Sequence, residues 1–213
     1  SILNYLNTEL ESVFLKINKN ELLHELFVFV SSYAEDKVTL EQMKHQCYGK
    51  NDELLERVFP ERFTMEEKIN IGNNKEAVYR VEFKPHLKLI EGAFEFITTA
   101  HQKNIPMAIG SAAILSNIEF VIQGTNIDHC FTAIVSADDV SISKPHPETF
   151  LSCAQHLQMD PSEILVFEDT PKGVECALNA NMDAVVILGG HTLEEFQDYK
   201  NVVASIQDYS SLN

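Results

Sequence analysis

Basic residues are scarce in this 213-residue chain: sixteen Lys and Arg stand against thirty-two Asp and Glu, a formal charge of −16. A chain of that sign repels polyanions, which argues against nucleic acid and anionic membranes as partners. Cysteine is sparse too. Cys47, Cys130, Cys153 and Cys176 show no CxxC spacing, so neither a zinc site nor a disulfide framework is indicated, and a reducing compartment is the expected setting. No apolar run reaches membrane-spanning length, and the first residues lack the basic start and small-residue cleavage site of a signal peptide. Internal repeats and low-complexity segments are also missing. The expectation is a soluble, cytoplasmic protein with one sizeable domain, or a core with a smaller insert. The oligomeric state is left open, with a monomer slightly favoured.

What is present divides at Pro85. Before it the apolar periodicity is helical. Thr39 with Gln42, and Thr64 with Glu67, have capping-box spacing, and Met65, Ile69, Ala77, Val78 and Val81 repeat with a 3.6-residue period. After it, helices over 92–102, 114–123, 147–157 and 172–179 alternate with strands over 106–109, 133–136, 164–167 and 184–187. Short apolar strands between amphipathic helices signal a parallel sheet covered on both faces. The expected fold is α/β, a doubly wound parallel sheet with a helical cap. Residues 1–17 and 85–213 would form the core and residues 18–84 the cap.

Three strand ends carry chemistry. In ILVFEDTPKGVECAL the apolar strand 164–167 runs into Glu168 and Asp169. Open parallel sheets bind ligands beyond the carboxyl ends of their strands, and two adjacent carboxylates there call for a cation, of which Mg²⁺ is the natural choice. Alternatively, Asp169 simply caps the next helix. MAIGS ends in Ser111, followed by Ala112 and Ala113; the hydroxyl and nearby N–H groups suit a phosphate oxygen, or Ser111 is an N-cap. In SKPHP, Lys144 is pinned beside two prolines, so its ammonium is either aimed at an anion or simply solvated.

In this order and spacing, GSAA, SKPHPETF and FEDTPKGV resemble the second, third and fourth motifs of the haloacid dehalogenase-like superfamily, and most of all its β-phosphoglucomutase-like group. The resemblance implies a Mg²⁺-dependent phosphatase or phosphomutase acting on a small phosphorylated metabolite, in which an aspartate attacks a phosphoryl group. It implies that Glu168 and Asp169 hold the metal, that Ser111 and Ala112 grip phosphate, and that Lys144 stabilises charge. Cap residues Gly49 and Lys50, and more weakly Lys75, would face substrate; the other reading is a solvated helix face. His45, His129 and His146 lack metal spacing and read as structural or surface groups. One departure stands out. The family's first motif, Asp-x-Asp, occurs nowhere in these 213 residues. The strand expected to carry it is SVFLKI (12–17), or failing that LFVFV (26–30), and neither contains a carboxylate. The competing reading is therefore a catalytically inactive domain that binds a phosphorylated ligand or a protein partner.

Overall fold

The computed structural model describes residues 51–189 and 191–212. Of these, residues 51–86 belong to one compact unit and residues from 87 onward to a second. The expected strands SVFLKI and LFVFV, the Thr39 cap, Gly49, Lys50 and His45 lie outside the described residues.

The first unit is helical. Helix α1 (Asn51–Val58) packs against α2 (Met65–Phe83). Thr64 starts α2 with the expected box: its hydroxyl accepts the Glu67 N–H at 3.3 Å, and Glu67 Oε2 accepts the Thr64 N–H at 2.8 Å. The helix ends at Phe83 and a 3₁₀ turn, Lys84–His86, follows, as expected where Pro85 removes a backbone donor. The buried face of α2 differs from the periodicity's choice. Met65, Ile69, Val78 and Val81 are between 44% and 69% exposed, while Lys68, Ile71, Gly72, Glu76 and Phe83 are buried. Polar side chains can face inward here because each finds a partner. Lys68 pairs with Glu56, and Glu76 accepts from Asn51 Nδ2 at 2.9 Å and pairs with Lys75 at 2.6 Å.

Among the described residues of the second unit, five short strands form a two-stranded and a three-stranded parallel sheet. β1 (Ala108–Gly110) pairs with β2 (Ala133–Val135), and β3 (Leu165–Glu168), β4 (Asp183–Ile187) and β5 (Val202–Ile206) pair in that order. Helix α3 (Ala93–Gln102) precedes β1, and α4 (Leu115–Gly124), α5 (Glu148–Leu157) and α6 (Pro171–Asn179) lie between the strands. Each expected strand and helix after Pro85 is present within about two residues. β5 is the addition: Val203 is 57% exposed and Ala204 and Ser205 face solvent, so the strand lacks the buried apolar run by which the others are recognised.

Helix α5 packs on β1 and β2, and α6 on β3 and β4. Val174, Ala177, Met182, Ala184, Val186 and Phe196 form one core cluster; each large apolar side chain buried there stabilises the fold by roughly 1.5–3 kcal/mol. A second cluster, Ala93, Ile187 and Tyr209, takes in Phe96 and Phe167. Parallel register places the ends of β1 and β3, and hence Ser111 and Asp169, at carboxyl ends where ligand crevices form. Among the described residues no helix is long and apolar enough to cross a membrane.

Candidate active site

Glu168 is the last residue of β3 and is 2% exposed. Its Oε2 accepts the Asp169 N–H at 2.8 Å and the Thr170 N–H and hydroxyl, each at 3.0 Å. Its Oε1 accepts from Lys144 Nζ at 2.8 Å. A buried carboxylate is tolerated only when paired and hydrogen-bonded in this way. The carboxylate also lies against helix α6 where Gly173 is: a Cβ at that position would fall within 3.0 Å of Cδ, Oε1 and Oε2. Only glycine permits the approach.

Asp169 is equally buried, at 2% exposure, but it does not cap α6. Thr170 does, its hydroxyl accepting the Gly173 N–H at 3.1 Å with Pro171 in the first turn. Capping Asp169 was the competing reading of this residue, and the register of the turn places it one position too early. The acid pair is thus divided by environment, Glu168 tied to Lys144 and the loop, Asp169 beside it at the strand end.

Lys144 links two strand ends. Besides Glu168, its Nζ donates to the carbonyl of Gly110 at 3.2 Å and lies 4.5 Å from the centre of the Phe150 ring. Its side chain is 3% exposed, which disposes of the solvated-charge reading. Gly110 ends β1, and Ser111 follows with 1% exposure. The Ser111 N–H donates to Val135 O at 2.9 Å and its hydroxyl accepts the Ala113 N–H at 3.0 Å. Ser111 is no N-cap, because α4 begins only at Leu115. At the start of α4, Asp138 Oδ2 accepts the Leu115 N–H at 3.1 Å. At this strand end residues 111–113 form a tight turn, in which the Ala112 N–H takes part in none of these bonds.

The loop from β2 to α5 is braced by its own carboxylates. Asp139 accepts the Ser136 hydroxyl at 2.6 Å and N–H at 2.8 Å, which hold its carboxyl below the usual range. Glu148 accepts the N–H groups of Ser141 at 2.9 Å and Ile142 at 3.0 Å and is lowered for that reason. Beneath β1, Cys153 donates to Ile109 O at 3.6 Å, and burial pushes its thiol up to about 11.

Sequence reasoning missed Tyr209. This residue is fully buried, its ring 5.8 Å from Phe167 and 5.2 Å from Phe96. Burial, then the fields of Asp169 and Glu168, push its phenol well up, so the proton stays on oxygen. Nothing in DYSSL marks it, because its place depends on the Tyr209 N–H reaching Glu91 O at 2.9 Å across the fold.

Lys75 lies in the first unit and is not a solvated charge. Its Nζ donates to Asn51 Oδ1 at 2.6 Å and pairs with Glu76 at 2.6 Å, with 14% of its side chain exposed. The side chains of His129 and His146 are 55% and 46% exposed. Among the described residues no group of three or more His, Cys, Asp or Glu side chains could hold a metal ion.

The chain is 48% identical over 90 residues to an uncharacterized protein of Haemophilus influenzae, 42% of this chain and 44% of that one. It is 41% identical over 80 residues to the fructose-1-phosphate phosphatase YqaB of Escherichia coli, 38% of this chain and 43% of that enzyme. The match thus spans less than half the length of these relatives. Among solved structures, β-phosphoglucomutase of Clostridium difficile superposes with a TM-score of 0.71 at 21% identity, covering 90% or so of each chain (91% and 86%), which establishes the shared fold. The profile of the haloacid dehalogenase-like hydrolases matches residues 2–187, and the chain belongs to that family.

Proposed function

We propose that the chain is a Mg²⁺-dependent phosphohydrolase or phosphomutase of this family, acting on a small phosphorylated metabolite such as a sugar phosphate. Residues 1–17 and 85–213 would be its core and 18–84 its cap. One observation carries the reading. Lys144 joins the ends of β1 and β3 through Gly110 O and Glu168, so three motifs far apart in sequence meet at strand ends suited to a phosphoryl group. The relative that hydrolyses fructose 1-phosphate supports a sugar phosphate as substrate.

In this reading the turn 111–113 holds a phosphate oxygen through the Ser111 hydroxyl and the Ala112 N–H. Lys144 neutralises charge on the transferring group while Glu168 fixes its ammonium. The donor set fits Mg²⁺, a hard ion that takes one or two carboxylates and completes its shell with water and substrate phosphate. Asp169 would hold it with Glu168 alongside, and the ion would supply charge neutralisation at the phosphate. Gly49, Lys50 and Lys75 remain the cap residues proposed to meet substrate.

The missing Asp-x-Asp favours a second reading, a domain that binds a phosphorylated ligand without turning it over. Phosphate release from fructose 1-phosphate and other hexose phosphates, with and without Mg²⁺, separates the two. Mg²⁺-dependent release lost in Asp169→Asn supports the hydrolase. Phosphate binding with no release supports the binding domain.

A further inference from the structure

The segment carrying Lys144 is held from behind by helix α6. Cys176 is fully buried, and its thiol donates to the carbonyl of His146 at 3.1 Å. Asn179 Nδ2 donates to the carbonyl of Pro145 at 2.9 Å. Three residues apart, the two side chains share one helix face, and they take the two consecutive carbonyls that follow Lys144. In front, Glu148 holds the N–H groups of Ser141 and Ile142. A lysine side chain is long and flexible, so where its ammonium rests depends on how firmly its backbone is held. The helix that grips this backbone is the one whose first turn, through Thr170 and Gly173, also fixes Glu168.

We propose that Cys176 and Asn179 are positioning residues for Lys144: by fastening the Pro145 and His146 carbonyls to α6, they make the lysine and the acid pair one rigid unit. The proposal deepens the phosphate-site reading, which gives Lys144 its purpose, but the fastening is measurable by itself. In full-length protein labelled with ¹⁵N-lysine, the Lys144 ammonium is assigned by its loss in Lys144→Ala, and its proton exchange reports how well the pair with Glu168 is kept. Asn179→Ala alters an exposed residue and should speed exchange about threefold; adding Cys176→Ala should bring the increase to tenfold or more. Cys176→Ser, which keeps a donor, should restore most of the protection lost in Cys176→Ala. Exchange unchanged in the double variant would overturn the proposal, as would a fast-exchanging ammonium in the parent protein. If Ser protects no better than Ala, the thiol only fills space and its assigned role falls. Inorganic phosphate titrated into the same proteins isolates the underlying reading: lost protection with unchanged phosphate affinity would refute the lysine's role at phosphate and leave the fastening intact.

Discussion

Gly173→Ala sets two physical effects against each other, and the structure decides which wins. Alanine is the better helix former by about 1 kcal/mol in a helix interior, so propensity alone makes the variant more stable. The added Cβ, however, would fall within 3.0 Å of three atoms of the Glu168 carboxylate. That carboxylate cannot step aside cheaply, because Lys144, the Asp169 N–H and both Thr170 donors hold it in place. Driving it out breaks a buried ion pair, at a cost of roughly 3–5 kcal/mol. The net expectation is a loss of about 2–4 kcal/mol, which lowers the melting temperature by about 5 to 15 °C for a protein of this size. Thermal unfolding followed by circular dichroism measures it, with chemical denaturation giving the free energy directly. A variant as stable as the parent, or more so, would show that the Glu168 carboxylate does not rest on Gly173, and the geometry assigned to the acid pair would be wrong.

Other consequences can be checked in parallel. Glu148 has its carboxyl held below the ordinary 4.5 by two backbone N–H groups. Its brace is therefore complete above pH 4.5 and lost as pH falls through the lowered value; the Ser141 and Ile142 amide resonances should titrate with a midpoint below 4.5, and not at all in Glu148→Gln. The Cys153 thiol, pushed up to about 11, should resist alkylation at pH 8 in native protein and react fully once unfolded. Because the sequence has no Asp-x-Asp, p-nitrophenyl phosphate turnover with Mg²⁺ present separates the two readings: the inactive binding domain should stay at background and gain turnover only when that motif is built in at the end of the family's first strand, whereas the hydrolase should turn the ester over as it is. Robust turnover by the unmodified chain, lost in Asp169→Ala, would reveal a nucleophile of a different kind.

Much of the second unit was legible because its strands are short apolar runs punctuated by turn residues, and its chemistry sits directly after them. Ser111, Lys144, Glu168 and Asp169 could all be named from that punctuation. What each does locally was not legible. The choice of Thr170 over Asp169 as cap depends on the turn's backbone, and the occupation of the α4 terminus by Asp138 depends on a bond between residues 23 apart in sequence. In α2, periodicity found the helix but pointed it the wrong way, since hydropathy counts Lys68 and Glu76 as outward-facing and cannot see the partners that let them be buried. Tyr209 and β5 were missed for a similar reason: their places follow from long-range contacts, and their sequence carries neither alternation nor a motif.

The measurement that bears most directly on the phosphate site is calorimetric titration of inorganic phosphate, with Mg²⁺ present, into the parent chain and Lys144→Ala. Removing one charge-assisted contact should cost roughly 1.5–3 kcal/mol, a weakening of about ten- to more than a hundredfold. Equal affinity in the two proteins would contradict the account, because the convergence of Ser111, Lys144 and the acid pair would then have nothing to do with binding phosphate.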